Sequence, residues 1–246
     1  MYIKTTRLLE GARGSEGLVV IIDVFRAFTC LPLLYHLGAK GVILERDVER
    51  AKKLRDEFPH SLLVGEQNEV PIEGSEIGNS PYRILKKRES LKGKLVIHRS
   101  TAGVVGVHEA LRNNTRVLMS GFINAKATAD AVKEVASSEV TLVAMGERGV
   151  SPAPEDEACA LYIHSLLEPG VLYDPLWHME KILGSYSYKK FFDPRRPYLE
   201  PEDPIICLQR DLVPMALEAV REGDLVMAKP FPSDEDRPIS NGFKGF

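Results

Sequence analysis

The chain has 246 residues, 44% of them hydrophobic, a formal net charge of -3 and three cysteines. That length suits one large α/β unit or two smaller ones, and scattered basic residues without zinc-finger spacing or basic-aromatic interleaving exclude nucleic acid as an expected partner. Met1-Tyr2-Ile3-Lys4-Thr5 lacks the apolar core of a signal peptide and no apolar run would span a bilayer, so no membrane partner is expected. Cys30, Cys159 and Cys207 are widely spaced in apolar surroundings, which fits packed thiols in a reducing cytoplasm.

In chain order, six apolar runs read as short buried strands: Leu18–Ile22, Gly41–Leu44, Ser61–Gly65, Lys94–His98, Arg116–Met119 and Glu139–Met145. They lack polar alternation, as strands covered on both faces do. Amphipathic helices are expected over Val48–Phe58, Gly103–Arg112, Asn124–Ala136 and Glu155–Leu167. Pro32 suggests another helix starting near Cys30, with Val24–Thr29 as a loop before it. The fold class is therefore α/β, three-layer α/β/α with a mostly parallel sheet. Right-handed crossovers would place Asp23, Glu45, Glu66, Arg99, Ser120 and Glu147 along one rim.

Texture changes near Pro169, which predicts a core over 1–168 and a smaller C-terminal lobe or extension over 169–246. Gly184–Asp203 is aromatic- and proline-rich without a period. Beyond it, Pro204–Leu208 and Asp224–Lys229 read as strands, Val213–Arg221 as a helix between them, and Pro230–Phe246 as a surface tail.

Chemistry gathers at the strand ends. Asp23 closes an apolar run and offers a hard oxygen ligand suited to magnesium, and Arg26 can meet an anion with its guanidinium fork. Gly78-Asn79-Ser80-Pro81 has the letters of an anion nest, and equally of an Asn/Ser helix cap with proline at its first position. Arg99 and Ser100 precede another helix, where arginine would hold an anion and the hydroxyl would bind it or cap the helix. Gly146-Glu147-Arg148-Gly149 leads to Glu155-Asp156-Glu157, acids that suit a helix N-terminus. Asp156 shares a face with Cys159 and Ile163, an inward position that the helix dipole does not explain, whereas Glu157 should face solvent.

These segments resemble the 2-phosphosulfolactate phosphatase family. Asp23-Val24-Phe25-Arg26-Ala27-Phe28-Thr29 is similar to its DVLRATT segment, and the likeness continues through Gly65-Glu66, Ile77–Pro81, Gly121–Ala125 and Glu155–Ala160 to Asp211 and Val213-Pro214. The resemblance implies an α/β/α fold, Mg2+ as cofactor, and hydrolysis of the phosphosulfolactate ester in coenzyme M synthesis. Asp23, Arg26, Asn79, Ser80, Asn124 and Asp156 match the family's polar motif positions. One departure is plain. The family's TTNGT appears here as Arg99-Ser100-Thr101-Ala102-Gly103, which shifts the hydroxyls and loses the asparagine, whose amide can donate to an anion where alanine cannot.

The sequence therefore points to a magnesium-dependent hydrolase of a small anionic phosphoester. Asp23 and Asp156 would hold the metal; Asp23, Arg26 and Glu147 would be catalytic, with Glu66 the other candidate base. Asn79, Ser80, Arg99, Ser100, Asn124 and Arg148 would bind substrate. The absence of a DxD pair favours activated water over an aspartyl-phosphate. A non-catalytic anion-binding or assembly protein on the same scaffold is the competing class, and homo-oligomerisation stays open. A dinucleotide oxidoreductase would need GxGxxG after an early strand, and a Walker loop is missing.

Overall fold

A computed structural model describes residues 1–113, 115–135 and 138–232. Its strands are β1 (Tyr2–Arg7), β2 (Leu18–Ile22), β3 (Gly41–Leu44), β4 (Leu62–Gln67), β5 (Val70–Pro71), β6 (Leu95–Arg99), β7 (Arg116–Ser120), β8 (Glu139–Ala144), β9 (Ala216–Glu222) and β10 (Leu225–Phe231). They form one mixed, mostly parallel sheet in the order β1-β8-β2-β7-β9-β10-β3-β6-β4-β5. The apolar runs become strands because both faces are covered. Val19 and Ile21 pack towards helices Ala27–His36 and Gly103–Ala110, while Leu18, Val20 and Ile22 pack towards helices Ala125–Val135 and Pro154–Leu167. Alternation by one residue thus feeds two cores at once.

The sheet contains two parallel blocks, β1-β8-β2-β7 and β3-β6-β4, separated by successive antiparallel pairings through β9 and β10. Along the sheet the blocks therefore point in opposite senses, and parallel crossovers alone do not create the expected rim. Twist of roughly 20–25° per strand pair accumulates to roughly 100–125° between β2 and β6. Their carboxyl ends meet: Gly103 N–H, just past β6, donates to Asp23 Oδ2, just past β2, at 2.7 Å.

Several local expectations are corrected. The helix after β2 begins at Ala27, not near Cys30, and carries Pro32 inside it. Asp23 supplies the missing cap, its carboxylate accepting from Ala27 N–H and its carbonyl from Phe28 N–H. Pro204–Leu208 is not a strand; Asp203–Cys207 is a short helix with proline in its first turn. Val213–Arg221 is not a helix; Ala216–Glu222 is strand β9, its helix-favouring residues overridden by pairing between β7 and β10. Pro230 and Phe231 belong to β10, whereas the rest of the expected tail, 233–246, lies outside the described residues. Strand β1 and helix Pro175–Gly184 had no counterpart in the sequence reading.

Candidate active site

The ends of β2, β4, β6 and β8 surround a tight cleft with a cavity volume of about 40 Å³. Its lining includes the carboxylates Asp23, Glu66, Glu69, Glu147, Glu155 and Asp156, and the cations Arg26, Arg148 and Lys190. Acids outnumber bases two to one on that wall.

Asp23 is only 5% exposed. Its Oδ1 accepts from Ala27 N–H at 3.2 Å and its Oδ2 from Gly103 N–H at 2.7 Å. Burial outweighs these bonds and pushes its pKa up to about 6. Gly103 is needed here because a Cβ would stand 2.7 Å from Asp23 Oδ2 and 3.0 Å from the Phe28 ring. Asp156, on the helix Pro154–Leu167, ties two strand ends together, accepting from Val24 N–H and Gly146 N–H, each at 2.7 Å. Burial, then the nearby charges of Asp23 and Glu155, hold its pKa well above the carboxylate range. Glu155 accepts from Ser187 Oγ at 2.6 Å, and burial lifts its pKa to about 7. Among the described residues, none of these three acids forms an ion pair with lysine or arginine.

Arg26 is held differently. Its Nη1 donates to the fully buried Asp203 Oδ2 at 2.9 Å, and its Cζ lies 5.6 Å from the centre of the Phe191 ring. Asn79 reaches the cleft, its Oδ1 3.1 Å from His98 Nε2. Burial lowers the His98 pKa to about 4, so the ring is neutral and Nε2–H donates to Asn79. Arg148 and Glu147 also line the cleft. Arg148 Nη2 lies 3.3 Å from Glu69 Oε2, and Glu147 Oε1 3.5 Å from Lys190 Nζ.

Other expected residues serve the scaffold in this geometry. Ser80 Oγ donates to Asp203 Oδ1 at 2.7 Å, and Tyr82 N–H donates to the same oxygen at 3.0 Å, so the turn expected to hold an anion holds the chain's own carboxylate. Arg99 donates to Glu66 O, Thr101 Oγ1 and Arg46 O. Ser100 Oγ accepts from Val104 N–H inside the helix that follows β6. Asn124 is buried, accepting from Gly121 N–H and donating to Met119 O and Met215 O. Glu66 accepts from Thr101 N–H, Thr101 Oγ1 and Glu69 N–H, which leaves Glu147 the less encumbered of the two candidate bases. On the rim of six strand endings, Asp23, Glu66 and Glu147 face the cleft, while Glu45, Arg99 and Ser120 are outside its lining.

Glu69, Glu155, Lys190, Phe191 and Asp203 were missed by sequence reasoning. Glu155 had a usable signal: the same spacing rule that turned Asp156 inward places Ala158 and Cys159, both fully buried, three and four residues after it. Glu69 had none. It sits at φ 76° in the β4–β5 hairpin and receives Lys190 Nζ at 2.5 Å and Arg196 Nη1 at 2.7 Å. Against its burial, Lys190 and then Arg148 hold its pKa below the usual value.

The donor set is compatible with a hard divalent cation. Asp23 and Asp156 are oxygen donors whose charges are desolvated and mutually repelling, and a cation would relieve both penalties. Among the described residues no group of three or more His, Cys, Asp or Glu is arranged to hold a metal ion. That leaves the mode usual for magnesium, one or two carboxylates completed by water and substrate oxygens.

Comparison with known proteins adds an independent finding. A family model described as 2-phosphosulpholactate phosphatase matches residues 3–189. A Bacillus subtilis protein named "Probable 2-phosphosulfolactate phosphatase" is 32% identical over 208 residues, covering 84% of this chain and 88% of that one. Relatives with the same printed name include one from Thermoplasma volcanium, 28% identical over 89% of this chain and 98% of its own, and one from Deinococcus radiodurans, 33% identical over 53% of each.

Proposed function

Because the chain belongs to the 2-phosphosulfolactate phosphatase family, we propose that it is a magnesium-dependent hydrolase of a small acidic phosphomonoester, with 2-phosphosulfolactate the leading substrate. Membership places it in a family of enzymes. The observation that carries the finer reading is the unpaired carboxylate group of Asp23, Asp156 and Glu155 in a cleft where acids outnumber cations. A doubly charged phosphate would be repelled from that wall unless a cation accompanied it. Asp23 and Asp156 are the residues that would hold Mg2+, which supplies charge neutralisation at the phosphoryl oxygens.

The remaining work falls to the chain's own groups. Arg26 offers the donors not used by Asp203, and Asn79 offers its amide N–H groups because its oxygen is engaged by His98. They bind the phosphoryl oxygens and favour the transition state as charge develops there. Arg148 and Lys190 meet a second anionic group on the substrate. Glu147 takes a proton from the attacking water as the water oxygen bonds to phosphorus; the ester P–O bond breaks, the leaving alkoxide takes a proton from solvent, and inorganic phosphate is released. The lining residues Phe25, Phe191 and Leu199 limit water in the cleft.

The three cysteines are buried and free, which fits a reducing cytoplasm. Among the described residues no helix is long and apolar enough to cross a membrane. Through the family, the reaction would stand among those leading to coenzyme M. The test is phosphate release from a panel of phosphomonoesters with and without Mg2+. Hydrolysis of acid-bearing esters only when magnesium is present is the expected result. Tight phosphate binding without turnover would replace this reading with that of a binding protein.

A further inference from the structure

Asp203 lies beyond residue 189, where the family match ends, and outside the lining of the cleft. It is 0% exposed, yet its two oxygens are bound from different sides. Oδ2 takes Arg26 Nη1 at 2.9 Å. Oδ1 takes Ser80 Oγ at 2.7 Å and Tyr82 N–H at 3.0 Å. A guanidinium is planar with donors at fixed angles, so anchoring one nitrogen restricts where the others point. Arg26 is itself buried and lines the cleft, and its Nη2 makes only a 3.5 Å contact with Glu69 O. Its remaining donors are therefore the ones a ligand in the cleft would meet.

We infer that Asp203 is the positioning residue of the site: its carboxylate orients the Arg26 guanidinium towards a bound phosphoryl group and locks that orientation to the Ser80 turn beside Asn79. The inference rests on the reading that the cleft binds a phosphoester. It makes the C-terminal segment a working part of the site, because Phe191, against the Arg26 guanidinium, comes from the same stretch.

The experiment is a double-mutant cycle over wild type, Asp203→Asn, Arg26→Ala and the double variant, all checked by thermal unfolding. Two readouts are taken: kcat/KM for 2-phosphosulfolactate with Mg2+, and the dissociation constant of inorganic phosphate by calorimetry. Asp203→Asn should weaken both about 10-fold or more in the wild-type background, and by less than about twofold once Arg26 is alanine, because residues acting as one unit are strongly non-additive. Equal losses in both backgrounds would overturn the inference, since Asp203 would then act on the fold and not through Arg26. Asp203→Glu guards against a misfolded asparagine variant. It keeps the charge but moves the carboxylate by one methylene, so a near-native unfolding midpoint with reduced kcat/KM is expected, and wild-type kinetics would refute positioning. If wild type binds phosphate through Arg26 without any turnover, the hydrolase reading fails while the affinity cycle still decides the role of Asp203.

Discussion

Gly103→Ala places a methyl group where Asp23 stands. An added Cβ would lie 2.7 Å from Asp23 Oδ2 and 3.0 Å from Phe28 Cζ, so the carboxylate, the ring or the helix start must move. Helix propensity alone would make alanine more stable than glycine by about 1 kcal/mol. Against that stand about 1–3 kcal/mol of overpacking and, if Asp23 swings away, about 1.5–3 kcal/mol from loss of the charge-assisted bond with Gly103 N–H. The steric effect wins: with Asp23 displaced the expected net destabilisation is roughly 1.5–5 kcal/mol, a fall of roughly 3–20 °C in Tm at this chain length. Magnesium affinity and kcat/KM should fall with it, because the carboxylate that moves is the proposed ligand. Differential scanning calorimetry, Mg2+ titration and phosphate release measure the three quantities. A Gly103→Ala protein more stable than wild type, with unchanged magnesium affinity and turnover, would refute the placement of Asp23.

Ala102→Asn restores to the cleft wall the amide that the family motif carries, and one neutral hydrogen bond of about 0.5–1.5 kcal/mol should raise kcat/KM for 2-phosphosulfolactate by roughly 2–12-fold relative to phospholactate; an unchanged ratio would show that position 102 does not read the substrate. Lys190→Met removes a buried cation that holds Glu69 at 2.5 Å, so KM should rise by about 10-fold or more with a smaller effect on kcat, as steady-state kinetics would reveal. His98 has a folded pKa of about 4 against an ordinary 6.5, so the unfolded chain binds more protons between those values. The corresponding stability is fully present above pH 6.5 and lost as pH falls towards 4, roughly 3 kcal/mol in all. His98→Gln should flatten that part of the urea-unfolding profile; parallel profiles for variant and wild type would contradict it.

The sequence reading was strongest where burial dictates the pattern. Leu18–Ile22 and Gly41–Leu44 are continuous apolar runs and became strands with those same bounds, because helices cover both of their faces. It failed where partners come from far away. Ala216–Glu222 reads as helix from its alanine, leucine and glutamate, and only pairing with β7 and β10 makes it a strand. Strand β1 is a largely exposed edge and carries little hydrophobic signal. At the site, Asp23, Arg26, Asn79 and Asp156 stood out because strand ends and helix faces aim them at one cleft. Ser80 and Arg99 carried equally suggestive letters but spend their hydrogen bonds within the protein. Asp203 and Glu69 were illegible, since the partners of each carboxylate lie at least 79 positions away. Nothing in a linear sequence records which carboxylate a buried arginine will choose.

The central claim is that Asp23 and Asp156 make this cleft a magnesium-assisted phosphoester site. Phosphate release from 2-phosphosulfolactate, followed as Mg2+ is titrated into chelator-treated wild type, Asp23→Asn and Asp156→Asn, tests it most directly. Saturable activation of wild type, with at least a 100-fold loss in kcat/KM for each folded variant at every magnesium concentration, is the expected result, on the order of 2.7 kcal/mol of transition-state stabilisation. Full hydrolysis by chelator-treated wild type, or wild-type activity in either variant, would contradict it.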